Sequence, residues 1–131
     1  MTTPSSFKPV SGPRPGETAW LWLIKIITGP LLLVVLALHL IVNHYLGSTS
    51  SGLMTYDDVI AYFQNPLIPA IEILFVVVVV THSLIGLRGI LLDMNPSRRV
   101  LSIITWLLAL LGATSIAYGV WLALVIASKG P

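Results

Sequence analysis

The sequence predicts an all-α membrane protein built on three transmembrane helices, and three observations carry that prediction. Hydrophobic residues make up 56% of the 131 positions and charged residues only 9%, against roughly 45–50% and about 25% in a soluble domain. The apolar residues gather in three stretches, at about 19–45, 66–92 and 100–127. Each stretch is long enough to cross a hydrocarbon core about 30 Å thick, which takes roughly 20 helical residues. So little charge cannot coat a water-facing surface, which excludes a soluble enzyme, a disordered tail and a nucleic-acid-binding domain. The chain has no cysteine, which excludes a disulfide framework, a thiolate zinc site and an iron–sulfur cluster held by this chain.

Residues 1–18 are polar and rich in Ser, Thr and Pro. No apolar run precedes a cleavage site there, so the segment is not read as a signal peptide. It is expected to be an extended cytoplasmic tail unless a partner orders it, leaving 19–131 as one membrane domain. In the first span Lys25 is an anchor that snorkels to the headgroups. Thr28-Gly29-Pro30 follows, and the donor missing from Pro30 predicts a kink. Residues 48–51 form a loop. Tyr56–Phe63 is a short interfacial helix, with Thr55 or Asp57 as its cap. Asn65-Pro66 then punctuates the chain. In the second span the run Phe75–Val80 lacks the alternation of a barrel strand. A backbone in hydrocarbon must satisfy its own amides, which leaves a helix. Asn95-Pro96 makes a tight turn before the third span. There is no internal repeat.

Positive charge orients the bundle. Lys8, Arg14, Lys25, Arg88, Arg98 and Arg99 fall at the N-terminal end and in the loop between spans two and three, whereas Lys129 falls on the other side with Asp57 and Asp58. The N-terminus is therefore expected in the cytoplasm, and the C-terminus outside. Trp20, Trp22, Trp106, Trp121 and Tyr45 lie toward span ends, as interfacial aromatics do.

The polar residues that a bilayer should exclude are few: Lys25, His39, Asn43, His44, Glu72, His82, Arg88 and Asp93. Such residues face a partner helix or a site. His82 lies eleven residues before Asp93, about 16 Å inside that helix end. One reading is a histidine hydrogen-bonded to a neighbouring helix. The other is an axial ligand to haem iron, for which neutral imidazole is a standard donor. Gly86 and Gly89 share its face and leave room either for a flat macrocycle or for a closely packed helix. His39 is expected to differ from His82 in depth by roughly 5–12 Å, which argues against both binding one iron. His44 is an interfacial histidine. Arg88 either snorkels or pairs with a haem propionate. Asp93 ends its helix, pairs with Arg98 or Arg99, or sits beside a quinone. Glu72 makes an interhelical hydrogen bond.

The segment His82-Ser-Leu-Ile-Gly86-Leu-Arg88-Gly-Ile-Leu-Leu-Asp93 resembles the second-helix motif of the membrane anchor subunits of succinate:quinone oxidoreductases. That motif is a haem-ligating His, a Gly four residues on and an Asp eleven residues on. Ile27-Thr28-Gly29 followed by Leu36-Ala-Leu-His39 is similar to the family's first helix. The resemblance covers roughly residues 19–126. It implies an anchor that pairs with a second anchor subunit around haem b, holds an iron–sulfur subunit and a flavoprotein subunit on the cell inner membrane, and helps electrons from succinate reach a quinone. It further implies His82 as ligand to the proximal haem, His39 as ligand to the distal haem where there are two, Arg88 as a propionate partner and Asp93 as a quinone-side residue. The alternative is a cofactor-free structural or assembly protein of the membrane. Two positions depart from the pattern. Met94 stands where many members have Tyr, and Lys25 is the basic residue before Thr28-Gly29 where many have Arg. The quinone contacts are then expected from the partner subunits.

Overall fold

A computed structural model describes residues 12–13, 16–46 and 54–130. The order of elements is α1 (Ala19–Leu46), α2 (Tyr56–Phe63), α3 (Leu67–Asp93) and α4 (Arg98–Ser128). The long helices α1, α3 and α4 each have the length and apolarity to cross a membrane. The loop expected at 48–51 and most of the expected tail, residues 1–11 and 14–15, lie outside the described residues. The remainder of the tail does not trail away. Gly16 turns with φ +85°, a left-handed backbone that glycine adopts at little cost. A Cβ there would come within 3.1 Å of Leu92 near the end of α3. Glu17 pairs with Lys25 of α1, and its side chain is only 3% exposed. Lys25 therefore has an acidic partner in this chain, where snorkelling to lipid was expected.

Local chemistry sets the helix limits. Thr55 caps α2: its hydroxyl accepts from the Asp58 amide, and Asp58 Oδ2 accepts from the Thr55 amide at 2.8 Å. This reciprocal pair satisfies two amides that the first turn would leave bare, and it selects Thr55 over Asp57 as the cap. Asn65 Oδ1 accepts from Leu67 at the start of α3. The α3–α4 turn needs a left-handed residue, supplied by Asn95 at φ 53°, one of the few residue types that tolerates it. Ser97 then caps α4. Helix α1 continues through Pro30.

Helix α3 lies in the middle, packed against both α1 and α4. Contacts along the α1–α3 seam run antiparallel: Thr28 meets His82 and Asn43 meets Glu72. The α3–α4 seam does the same, with Arg88 meeting Thr105 near one end and Val76 facing Gly119 toward the other. Small residues of α4 make this second seam close. A Cβ on Gly112 would come within 2.8 Å of Leu84, and one on Gly119 within 2.9 Å of Val76. Short α2 is fastened to the end of α4, where Lys129 Nζ donates to the Tyr56 hydroxyl at 2.9 Å and Gln64 donates to the Lys129 carbonyl at 3.0 Å.

The bundle encloses little. The buried hydrophobic residues among those described are Val35, Tyr62, Ile68, Val78 and Ala123, while large apolar side chains such as Leu33, Ile90, Trp106 and Leu110 are exposed. That surface suits lipid tails or further helices, which are as apolar as the side chains themselves.

Candidate functional site

The α1–α3 seam holds both membrane histidines, one toward each end. His82 of α3 points at α1, with Nδ1 3.0 Å from the Thr28 hydroxyl. Its ring edge lies 3.6 Å from where a Cβ on Gly29 would stand. Thr28 in turn donates to the Ile24 carbonyl one turn back, at 2.7 Å. The Thr-Gly step therefore serves His82 twice: the hydroxyl supplies a partner, and the missing side chain makes space for the ring.

Toward the Asp93 end, Gly86 and Gly89 follow His82 on one stripe of α3, within about 40° of it at 100° per residue. A Cβ added at either would meet nothing within 4 Å. Close packing against a helix of this chain is thus the work of Gly112 and Gly119 on α4. The glycines below His82 border open space. Asp93 ends this stripe as the last residue of α3 and is exposed.

His39 of α1 sits in a denser setting. Its Nδ1 lies 3.0 Å from Glu72 Oε1 and 3.2 Å from Asn43 Nδ2. Asn43 also donates to the His39 carbonyl at 2.7 Å and to Glu72 Oε1 at 3.1 Å. The ring stacks on Phe75, with centroids 4.4 Å apart and planes 18° apart. Glu72 makes the interhelical hydrogen bonds expected of it. Tyr62 of α2 is buried nearby, and among the described residues its hydroxyl has no partner. Burial pushes the Tyr62 phenol up from its ordinary value, and the nearby Glu72 charge adds to the effect. Tyr62 was not visible as a site residue in the sequence. The only hint was the apolar face of α2, which does not distinguish a buried tyrosine from an interfacial one.

The two histidines stand at separate levels along the seam. Thr28, the partner of His82, and His39 are eleven residues apart on α1, about 16 Å of helix. His82 and Glu72 are ten residues apart on α3, about 15 Å. The expected 5–12 Å of depth was counted from each helix's own end; the pairing of the two helices places the two levels about 15 Å apart along their axes. The rings cannot share one ligand atom. Among the described residues no three His, Asp or Glu side chains converge, so each histidine offers a single donor at its level. His44 is exposed beyond them and meets Tyr45 edge to face.

Arg88 takes another direction. It lies about 120° around α3 from His82, and its Nε donates to the Thr105 hydroxyl of α4 at 3.1 Å. Thr105 passes its own hydrogen to the Leu101 carbonyl. Arg88 thus borders a cleft of 260 Å³, lined also by Leu21, Thr81, Ile85 and Leu108.

Residues 8–126 match the family model described as the succinate dehydrogenase/fumarate reductase transmembrane subunit. The chain is 31% identical over 101 residues to the succinate dehydrogenase hydrophobic membrane anchor subunit of Archaeoglobus fulgidus, a match covering 77% of this chain and 84% of the relative. No solved structure matches.

Proposed function

The chain belongs to the family of succinate dehydrogenase/fumarate reductase transmembrane subunits, and on that premise we propose that it holds haem b between its α1–α3 seam and a second anchor subunit. The observation that carries this reading is the stripe below His82: a half-buried imidazole deep in a span, followed by two glycines with nothing against them. A flat group needs that combination of one donor and a bare face, and the second axial donor comes from the partner anchor. His82 is the ligand near the Asp93 end. His39 is the ligand at the other level where two haems are present. Arg88 is the propionate partner, exchanging the Thr105 hydroxyl for a carboxylate. Asp93 lies on the side where quinone binds.

Bound there, haem b supplies a one-electron centre within the membrane. The chain's own part is to hold and orient it, to keep its surroundings apolar and dry, and to fix the assembly in the bilayer. In this reading the partners are the second anchor, the iron–sulfur subunit and the flavoprotein subunit. Electrons from succinate oxidation reach quinone beside Asp93. The protein spans the cell inner membrane with its N-terminus in the cytoplasm, where six of the seven basic residues fall. Cysteine is absent from the chain, consistent with an iron–sulfur relay on another subunit.

The test is a reduced-minus-oxidised spectrum of the complex purified with its partners. His82→Ala is expected to abolish the b-type absorption assigned to the Asp93 end, and an unchanged spectrum overturns the assignment. His39→Ala, measured alongside, separates a second haem ligand from a helix link. The dense network at His39 favours the link as the competing reading, and an unaltered spectrum would select it.

A further inference from the structure

The two histidines share a feature that their surroundings do not require. In each ring Nδ1 is tied across the seam to the opposite helix: His82 of α3 to Thr28 of α1, and His39 of α1 to Glu72 of α3. Among the described residues, Nε2 of neither ring has a hydrogen-bond partner.

Giving each hydrogen to its nearest acceptor yields one consistent placement of the protons. A hydroxyl carries one hydrogen, and of the acceptors around Thr28 the Ile24 carbonyl is nearest, at 2.7 Å against 3.0 Å for His82 Nδ1 and 3.3 Å for the Lys25 carbonyl. With the hydrogen on that nearest acceptor, the same oxygen accepts toward His82 and the shared hydrogen belongs to Nδ1. At the other level the Asn43 amide has two hydrogens. The two nearest acceptors, the His39 carbonyl at 2.7 Å and Glu72 Oε1 at 3.1 Å, take them ahead of His39 Nδ1 at 3.2 Å. With the carboxyl ionised, or protonated on its other oxygen, Oε1 has no hydrogen to give and accepts from both sides. The hydrogen between Oε1 and the ring, at 3.0 Å, again belongs to Nδ1.

We propose that Thr28 and Glu72 are positioning residues that fix His82 and His39 as Nδ1–H tautomers, so that each ring presents its Nε2 lone pair to a metal. A polar partner on the far ring nitrogen fixes tautomer and ring orientation in metal-binding histidines. The tautomers follow from hydrogen bonds within this chain. Their use toward haem iron rests on the reading above.

The test begins on the full chain in lipid nanodiscs, labelled with ¹⁵N-histidine and free of haem. The ¹⁵N shifts are expected to show Nδ1 protonated and Nε2 bare in both His82 and His39, and an Nε2–H signature in the unmodified chain overturns the proposal. Thr28→Val is expected to remove the Nδ1–H signature of His82 alone, and Glu72→Leu that of His39 alone. Thr28→Ser and Glu72→Gln, which keep an accepting oxygen, are expected to retain both. Tautomers unmoved by Thr28→Val and Glu72→Leu also overturn it. If a disruptive variant loses helix content, the unmodified chain and the conservative pair decide.

A second readout is the low-spin haem signal of the assembled complex, expected to broaden or fall with Thr28→Val and to recover with Thr28→Ser. If His82→Ala leaves the b-type absorption intact, the haem reading fails while the tautomers stand. If His82→Ala removes the absorption and Thr28→Val leaves the His82 tautomer as it was, the positioning role fails alone.

Discussion

The two ends of the α1–α3 seam hold the same residue type in opposite conditions. Near Asp93, His82 has one hydrogen-bond partner among the described residues, the Thr28 hydroxyl, and two bare glycines beneath it. Near α2, His39 is stacked on Phe75 and joined to Glu72 and Asn43. A polar network in a dry interior is stable when its members satisfy one another, and at the His39 end Nδ1, Asn43 and Glu72 do so within this chain. The His82 end leaves open space beneath the ring. The difference separates a histidine that helps hold two helices together from one placed to receive something else, even though both lie on the same seam.

Breaking the polar contacts at each end tests that contrast most strongly. Glu72→Leu takes the acceptor from both the His39 ring and one Asn43 hydrogen, whereas Thr28→Val takes it from the His82 ring alone. Leaving a buried donor unmatched costs about 1–3 kcal/mol, so Glu72→Leu is expected to be the more destabilising of the two by about one such increment. Thermal unfolding in detergent or nanodiscs measures it. Equal losses would show that the two ends are equally committed to the fold.

The glycines give a smaller contrast of the same kind. Gly112→Ala drives a methyl to within 2.8 Å of the Leu84 side chain, and overpacking of this kind costs about 1–3 kcal/mol unless the neighbour yields. Leu84 has some freedom to turn aside, which places the expected loss at the low end of that range. Gly86→Ala meets open space and replaces a poor helix former, so the haem-free chain is expected to gain up to about 1 kcal/mol. A loss at Gly86 of the size seen at Gly112 would mean that Gly86 also packs against a helix of this chain.

What was legible in the sequence follows the same division. The three spans were legible because hydrocarbon permits little else for apolar runs of that length. The short helix at Tyr56–Phe63 was legible because Thr55 and Asp57 are both residue types that cap helices; Asp58 as the reciprocal partner of Thr55 came from the structure. The interhelical role of Glu72 was also foreseen, since a carboxyl at that depth needs a partner. Lateral arrangement was not legible. In an all-apolar helix a residue facing lipid reads like one facing another helix, so nothing showed that α3 would be central or that Gly112 and Gly119, and not Gly86 and Gly89, would close a seam. The depth offset between His39 and His82 depended on pairing register, which the ends of separate helices do not reveal. The bond from Arg88 to Thr105 depended on which side of α3 the third span would occupy.

The smallest expected effect lies outside the membrane and belongs to the His39 end alone. The hydroxyl and the backbone amide of Thr55 both bond to Asp58 and hold its carboxyl below the usual aspartate value of 3.8. Because the folded value is depressed, the stabilisation is fully present above 3.8 and is lost as pH falls through the folded value. Protonation then removes the carboxylate's part of the capping box, and α2 begins to fray from Tyr56. Amide hydrogen exchange, corrected for the intrinsic effect of pH, is expected to show protection falling at residues 57–60 in that acid window. Protection around His82 should hold, since among the described residues no carboxylate bonds to the Thr28–His82 pair. Asp58→Asn should bring the same loosening at neutral pH and remove its acid dependence. If both ends of the seam loosened together on acidification, α2 and the His39 network would have to be treated as one cooperative unit with the helices beneath them.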